Sequence, residues 1–242
     1  MGSLLLKLAR LTDPPQRRFA IGDIHGCSRT LHKMIEEVLL LRPADTLYIL
    51  GDLIDRGHDS RGILDYLLQL RGDGYDIQAI RGNHEEMLLY AVDDLSAHKI
   101  WYGNGGWATL REFGVDSPEE IPQRYIEYIT SLPYYIESGD YICVHAGLDF
   151  TTEDPLRDTS RQYMLWARDS DCQVDATKID GRILVTAHTV MPLFDIRASL
   201  DTSHIRLDNG CYDKGELSCG ALVALNLDTK ELLVQENIER QT

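Results

Sequence analysis

Three passages in the first hundred residues repeat one pattern of apolar and polar positions. Short apolar runs end at Ile21, Leu50 and Ile80, and each is followed within two residues by a glycine and then by Asp or Asn. Apolar residues recur at helical spacing beyond each glycine, as at Leu31 and Ile35. The pattern therefore predicts three β-strands, each leading through a polar turn into a helix.

The spacing of these three units predicts a parallel sheet whose polar turns share one edge. The units lie about 30 residues apart, which is the length of a βαβ unit. Right-handed crossovers of this kind lay successive strands parallel, and open α/β sheets bind ligands at the carboxyl ends of their strands. We expect a ligand site built from three turns: GDIHG (22–26), GDLIDRG (51–57) and RGNHE (81–85).

The second half of the chain mixes helix and strand patterns. Residues 119–131 have the apolar spacing of a helix, and two runs, 134–137 and 141–144, flank a Ser-Gly-Asp turn and predict a hairpin. The polar stretch 151–180 predicts a loop with short helices. Four further strands are predicted at 183–186, 205–207, 221–227 and 232–235. One mixed α/β domain is the simplest interpretation of the whole pattern.

Composition limits the domain count and the classes of partner. The 242 residues, 43% of them hydrophobic, support one domain over 1–242, with residues 1–17 as an N-terminal extension. A formal charge of −15 disfavours nucleic acid and anionic membranes as partners, and no apolar run reaches the length of a membrane span. Five cysteines without a C-x-x-C motif disfavour a disulfide framework and favour a cytoplasmic location.

Histidines and carboxylates gather where apolar runs end. Four of the eight histidines stand at or just beyond such ends: His25, His84, His145 and His188. A single histidine there is usually structural, but Asp23, Asp52 and Asn83 occupy matching places, and the set as a whole favours a metal site. It exceeds the four ligands of a structural zinc ion and suits two ions of Mn, Fe, Zn, Co or Ni that share a carboxylate. Two cations would also attract an anionic substrate to this acidic chain.

Five segments in order resemble the signature motifs of a known family. GDIHG, GDLIDRG, RGNHE, VHAG (144–147) and TAHT (186–189) are similar to those of the metal-dependent phosphoprotein phosphatases, within the calcineurin-like metallophosphoesterase superfamily. In length the chain resembles the small bacterial and phage-type serine/threonine phosphatases. The resemblance implies an α/β fold of two mixed β-sheets sandwiched between helices, in four αββα layers.

The resemblance also implies two divalent metal ions, with Mn as the first choice and Fe, Zn, Co or Ni as alternatives. A water or hydroxide bridging the ions would attack phosphorus in line. Asp52 would bridge both ions. The implied metal ligands are Asp23, His25, Asp52, Asn83, His145 and His188.

Four other residues take catalytic or substrate-binding roles in the family's pattern. His84 would protonate the leaving oxygen, with Asp55 hydrogen-bonded behind it. Arg56 would bind the phosphate, as would Arg168 of the W-x-R stretch at 166–168. Taken alone, Asp55 could instead cap the following helix, and Arg56 could form a surface ion pair.

The resemblance implies that the chain dephosphorylates phosphoproteins or phosphopeptides at Ser or Thr, with Tyr as an open alternative. Symmetrical diadenosine tetraphosphate hydrolases share most of these motifs and the segment 207–211, but they typically have Ala where Asp55 stands and GNHD where this chain has GNHE. Asp55 and Glu85 therefore favour a phosphoprotein substrate. A catalytically inactive phosphate-binding scaffold is disfavoured because the implied ligands and the Asp55–His84 pair are all present.

The segment 101–107 resembles an N-G-G loop near the site's mouth, although an ordinary glycine-rich turn is the favoured interpretation. Oligomeric state stays open.

Overall fold

The computed structural model describes residues 15–168, 173–213 and 219–239. Most of the expected N-terminal extension, 1–17, lies outside these ranges, and the assignment of one domain to 1–242 stays a prediction. The described strands are β1 (Arg18–Ile21), β2 (Thr46–Ile49), β3 (Asp76–Ala79), β4 (Tyr135–Ser138), β5 (Tyr141–Val144), β6 (Ile183–Thr186), β7 (His204–Arg206), β8 (Ala221–Asn226) and β9 (Leu232–Glu236). The described α-helices are α1 (Ser28–Lys33), α2 (Ser60–Gly72), α3 (Asn83–Asp93), α4 (His98–Trp101), α5 (Trp107–Phe113), α6 (Gln123–Thr130), α7 (Pro155–Asp158), α8 (Arg161–Trp166) and α9 (Leu193–Ser199).

The first sheet contains the three predicted βα units. Its strand order is β3-β2-β1-β8-β9, and β1, β2 and β3 are parallel, with Arg18 opposite Thr46 and Thr46 opposite Asp76. The prediction of three parallel strands with their polar turns on one edge is therefore confirmed. Strands β8 and β9 complete the sheet by pairing antiparallel to β1 and to each other.

The second sheet is also mixed, with the strand order β4-β5-β6-β7. The predicted hairpin is present as the antiparallel pair β4–β5, while β5, β6 and β7 run parallel. Parallel strands again bring their carboxyl ends to one edge. The segments after β5 and β6, which carry VHAG and TAHT, therefore lie side by side.

Alternating side chains on the strands build three apolar cores and four layers. In β1, Phe19 and Ile21 pack with the helices of the first half, whereas Ala20 packs between the two sheets. In β5, Cys143 faces that middle core and Ile142 packs outward with side chains of α7 and α8. Since strand side chains alternate between faces, both sheets are covered on both sides. The αββα order implied by the resemblance is present.

Two segments differ from their sequence-based predictions. The helix predicted over 119–131 is divided into a 3₁₀ turn at Pro118–Glu120 and α6, because Pro122 has no N–H to continue a helix and stands at its start. The segment 101–107, interpreted as a glycine-rich turn, is helical on both sides of a kink. Helix α4 continues into Tyr102–Gly106, where Gly105 breaks the helical backbone with φ of 108° and ψ of 2°, and α5 begins at Trp107. None of the described helices has the length and apolar character needed to cross a bilayer.

A buried carboxylate fastens the beginnings of β1 and β2 together. Asp45, immediately before β2, has a fully buried side chain and lies 2.6 Å from guanidinium nitrogens of both Arg17 and Arg42. The backbone N–H of Arg17, immediately before β1, also donates to Asp45. Although burial alone would raise it, the hydrogen bonds from Arg42 and Arg17 hold the pKa of the Asp45 carboxyl well below its usual range.

We expect Asp45→Asn to lower the free energy of unfolding by about 2 kcal/mol at pH 7, because hydrogen bonds to a buried charge are lost. A carboxyl whose pKa is depressed on folding stabilises the protein above its unfolded pKa of about 3.9 and loses that effect as pH falls toward the folded pKa. The difference from wild type should therefore stay constant between about pH 5 and pH 8 and shrink below about pH 4.

Urea unfolding of wild type and Asp45→Asn at several pH values measures this difference. The exposed Asp73, at the end of α2, provides a control, since Asp73→Asn should change stability little at any of these pH values. An Asp45→Asn penalty of the same size at pH 3 and pH 7 would contradict the assignment.

Candidate metal centre

The first two turns of the site are joined by backbone hydrogen bonds. The N–H groups of Ile24 and His25 both donate to the carbonyl of Asp52, at 3.1 and 2.8 Å, and the N–H of Gly26 donates to the carbonyl of Leu53 at 3.0 Å. The turn after β1 and the turn after β2 therefore form one surface. His25 and Asp52 stand next to each other on it as a consequence.

The third turn is attached through the side chain of Glu85, in the first turn of α3. Its buried carboxylate accepts hydrogen bonds from the N–H groups of Gly82 at 2.9 Å, Asp52 at 2.9 Å and Leu53 at 2.8 Å. A Cβ at Gly82 would lie 2.2 Å from an Asp52 oxygen, so only glycine permits this approach. Glu85 thus holds the turn after β2 against the start of α3.

The second sheet adds two histidines. His145 follows β5, and its Nδ1 donates to the carbonyl of Leu50 at the end of the first sheet's β2, at 2.7 Å. The N–H of Ala187, after β6, donates to the carbonyl of His145 at 2.8 Å, which places His188 beside it with ring centroids 4.9 Å apart. The edges of both sheets therefore meet at these imidazoles.

One cluster gathers around the amide oxygen of Asn83, which lies 2.9 Å from His145 Nε2 and 3.0 Å from His188 Nδ1. Burial lowers the pKa of His145, and it lowers the pKa of His188 to about 3, so both imidazoles are neutral near pH 7. Because His145 donates its Nδ1–H to the carbonyl of Leu50, its Nε2 carries a lone pair. That lone pair faces the amide oxygen of Asn83, which is itself an acceptor. A cation bound among these three atoms would satisfy them all, and the donor set fits a divalent ion.

A second cluster lies on the other side of Asp52. His25 Nδ1 donates to the carbonyl of Ile54 at 2.9 Å, which leaves Nε2 directed at the site, 3.4 Å from Asp52 Oδ2. The other Asp52 oxygen lies 3.5 Å from His145 Nε2. Each oxygen of this carboxylate thus faces an imidazole of a different cluster, which is the arrangement that a bridging ligand needs. Although burial opposes it, the imidazoles of His145, His84 and His25 hold the pKa of the Asp52 carboxyl well below its usual range.

Asp23 lies at the inner side of both clusters. Its oxygens are 3.9 Å from His25 Nε2 and 3.8 Å from His145 Nδ1, and it is paired with the carboxyl group of Asp208. Burial raises the pKa of Asp23, as does the nearby Asp208, and burial raises the pKa of Asp208 to about 6. A divalent cation would offset this concentration of buried acidic groups. Sequence reasoning missed Asp208, although it directly follows the strand predicted at 205–207, just as Asp23 and Asp52 follow their strands after one glycine.

His84 and Asp55 form a buried pair next to the two clusters. His84 Nδ1 donates to Asp55 Oδ2 at 2.8 Å, and both side chains are fully buried. Among the described residues His84 Nε2 has no hydrogen-bond partner, and it lies close enough to His25 and Asp52 to join them as a candidate ligand. The proton-donor role implied by the resemblance therefore stays a prediction. Asp59, and not Asp55, caps α2 by accepting the N–H of Gly62.

Two residues that sequence reasoning missed hold Asp55 from behind. Trp101 Nε1 donates to Asp55 Oδ2 at 2.8 Å, and Thr109 Oγ1 donates to Asp55 Oδ1 at 2.6 Å. The only sequence signal for either was the pair of tryptophans that bounds the N-G-G segment, at 101 and 107. The sequence alone does not show that the indole of Trp101 is buried whereas that of Trp107 is about half exposed.

The two predicted phosphate-binding arginines are both exposed at the site. Arg56 Nη1 donates to His25 Nε2 at 2.9 Å, and its guanidinium lies 4.7 Å from the ring centroid of Tyr212, so it faces the clusters and is not a surface ion pair. Arg168 lies near His188, where its positive charge adds to the effects of burial and of His145 in lowering that histidine's pKa.

Backbone strain is concentrated in the same turns. Eight described residues other than glycine have positive φ angles, and such conformations cost free energy for residues with a Cβ. Five of the eight belong to the site: His25, Asp52, Asp55, Arg56 and His188. Residues with strained backbone conformations typically cluster at functional sites, where the position of the side chain matters for binding or catalysis.

Comparisons with known proteins agree with this geometry. A serine/threonine-protein phosphatase 1 of Salmonella typhimurium is 32% identical over 158 residues, which cover 62% of this chain and 68% of that protein. A symmetrical bis(5'-nucleosyl)-tetraphosphatase of Aromatoleum aromaticum is also 32% identical, over 147 residues, which cover 60% of this chain and 49% of the relative. The match thus spans about half the length of the tetraphosphatase.

A solved structure shows the same fold. A protein serine/threonine phosphatase from Saccharomyces cerevisiae superposes with a TM-score of 0.60 at 16% identity, covering 96% of this chain and 83% of that one. The predicted α/β fold with two mixed sheets is confirmed. The family model described as calcineurin-like phosphoesterase matches residues 17–226, which include every predicted site residue. This chain therefore belongs to the calcineurin-like phosphoesterase family.

Proposed function

We propose that this protein is a metal-dependent phosphomonoesterase that removes phosphate from serine and threonine residues of phosphoproteins. The observation that carries the proposal is the buried His84–Asp55 pair, 2.8 Å apart, with the second imidazole nitrogen directed at the candidate metal clusters. Expelling a serine or threonine alkoxide requires a proton, because an alkoxide is a poor leaving group. A histidine oriented by a carboxylate is the usual means of supplying it.

The residues that would hold two divalent ions surround this pair. Asp23 and His25 would bind the first ion, Asp52 would bridge both, and the second would be bound by Asn83, His145 and His188. When bound, the ions would supply an activated water nucleophile and neutralise charge on the phosphoryl group. Mn²⁺ is the first ion to test, with Fe, Zn, Co and Ni as alternatives, since imidazole and carboxylate ligands accept all of them.

The other side chains would act directly on the substrate. Arg56 and Arg168 would bind phosphate oxygens through charge-assisted hydrogen bonds. His84 Nε2 would hold the proton that is transferred to the leaving oxygen. Asp55 would keep the Nδ1 proton in place and stabilise the imidazolium form before the transfer. Although burial opposes it, the charge of Asp52 and the hydrogen bond to Asp55 raise the pKa of His84 in the metal-free protein.

Symmetrical hydrolysis of diadenosine tetraphosphate is the second candidate, supported by the 32% identity to a tetraphosphatase. Symmetrical cleavage of such a dinucleotide expels a nucleoside diphosphate, which leaves as a stable anion without a proton donor. The Asp55–His84 pair would contribute little to that reaction. This difference in leaving group favours the phosphoprotein substrate.

Phosphate release from the Mn²⁺-loaded protein tests whether phosphopeptides or diadenosine tetraphosphate are the better substrates. We expect turnover of phosphoserine and phosphothreonine peptides at a kcat/KM well above that for diadenosine tetraphosphate, with a phosphotyrosine peptide included to rank the residue preference. Preferential cleavage of the dinucleotide would replace the proposal with the second candidate. A protein that binds metal and turns over neither substrate would point to a scaffold.

We expect His84→Asn to lower kcat on the phosphoserine peptide by roughly 10²–10⁴-fold, the usual contribution of a general acid. Metal content, measured by elemental analysis of the dialysed protein, should equal that of wild type. His32 is a matched control, since it is partly exposed and stacks on Tyr66 away from the site. His32→Asn should retain full activity. Loss of one metal ion in His84→Asn would instead indicate that His84 is a metal ligand and not a proton donor.

We expect His188→Ala to bind about one Mn²⁺ per chain where wild type binds two, because the cluster around Asn83 loses one of its ligands. Isothermal titration calorimetry on metal-stripped protein measures the stoichiometry without reference to activity. The control His32→Ala should behave as wild type. Two ions bound with wild-type affinity in His188→Ala would remove His188 from the ligand set.

A further inference from the structure

The segment from α4 to α5 packs against Asp55 and meets both oxygens of its carboxylate. Trp101 is fully buried, and its Nε1 donates to Oδ2, the same oxygen that accepts the Nδ1–H of His84. Both distances are 2.8 Å. Thr109, in α5 beyond the kink at Gly105, donates to Oδ1. No part of this carboxylate is left to the solvent.

Thr109 also holds the backbone of Asp55. Its Oγ1 lies 3.2 Å from the Asp55 N–H, which donates as well to Ser60 Oγ at 3.0 Å. The residue is therefore restrained at its main chain and at both side-chain oxygens, although its φ of 71° lies in the strained left-handed region.

The N-G-G sequence makes this packing possible. A Cβ at Gly106 would lie 2.5 Å from ring atoms of Trp101, so the backbone there must pass directly over the indole. Gly105 has φ of 108°, and a Cβ on it would lie 2.9 Å from the backbone nitrogen of Arg56. The two glycines let the kinked segment between α4 and α5 close over Trp101 and reach the turn that carries Asp55 and Arg56.

We propose that Trp101, supported by Thr109, is a positioning residue for proton transfer: it fixes the Asp55 carboxylate, which in turn aims His84 Nε2 at the leaving oxygen. The inference rests on the proposed phosphomonoesterase function and names part of its machinery. Replacing the indole by a ring without an N–H leaves Asp55 Oδ2 with one donor in place of two. The carboxylate and the imidazole then gain freedom to rotate. Misdirected proton transfer slows reactions in proportion to how much the leaving group needs the proton.

Two substrates separate this role from a general loss of structure. The nitrophenolate of p-nitrophenyl phosphate leaves readily, whereas a phosphoserine peptide expels an alkoxide. For Trp101→Phe we expect kcat on the peptide to fall about 10-fold further than kcat on p-nitrophenyl phosphate, with KM little changed on both. Trp107→Phe is the matched control, because Trp107 is half exposed and stacks on Tyr102. It should leave both rates unchanged.

Equal losses on the two substrates, or no loss on either, would overturn the inference while leaving the proposed function intact. A wild-type protein that hydrolyses neither substrate would overturn the proposed function itself, and this inference with it. Comparing kcat on the two substrates, in wild type and in Trp101→Phe, therefore distinguishes failure of this inference from failure of the proposed function.

A second measurement needs neither metal nor activity. The chain has three tryptophans, so the indole region of a ¹H–¹⁵N spectrum of the metal-free protein is simple, and Trp101→Phe assigns one signal by its loss. That N–H should exchange with water far more slowly than the N–H of Trp107. It should also shift upfield in Asp55→Asn, where the acceptor loses its charge. Rapid exchange, or no shift in Asp55→Asn, would show that the indole does not hold Asp55.

Discussion

The buried carboxylate of Glu85 accepts N–H groups from the turn after β2 and from the turn that begins α3, and the whole site depends on this connection. Through it, Asp52 and Asn83 belong to one rigid surface. The backbone hydrogen bonds from His25 to Asp52 add the turn after β1. Removal of the carboxylate would leave four backbone N–H groups without this acceptor and would weaken the connection between the two candidate clusters.

The hydrogen bond from His145 to the carbonyl of Leu50 performs the same task between the sheets. It directs His145 Nε2 at Asn83 and holds the end of β5 in the second sheet against the end of β2 in the first. Buried carboxyl groups and neutral imidazoles then accumulate in one small volume, together with strained turns. Such an arrangement is costly for a fold to maintain, and cation binding offsets the cost. The energetics therefore agree with the phosphoesterase family, whose chemistry needs a local positive field.

Much of the site could be predicted because its residues follow a local rule. Asp23, Asp52 and His145 each stand at the end of an apolar run, and the parallel pairing of such runs brings their ends together. Asp208 obeys the same rule, yet nothing in its immediate neighbours separates it from an ordinary turn residue. Trp101 obeys no local rule at all, since its role depends on a contact with Asp55, 46 positions earlier.

The sequence by itself determined the strands, the helices that follow the first three of them, the order of the polar turns and the residue types available for metal binding and proton transfer. These follow from periodicity and from the short range of turn chemistry. Only the tertiary structure decided that β8 and β9 return to pair beside β1, that Glu85 connects two turns, and that Trp101 and Thr109 enclose Asp55. Those contacts join residues far apart in the chain, and they form only when the apolar faces of both sheets and their helices have packed together.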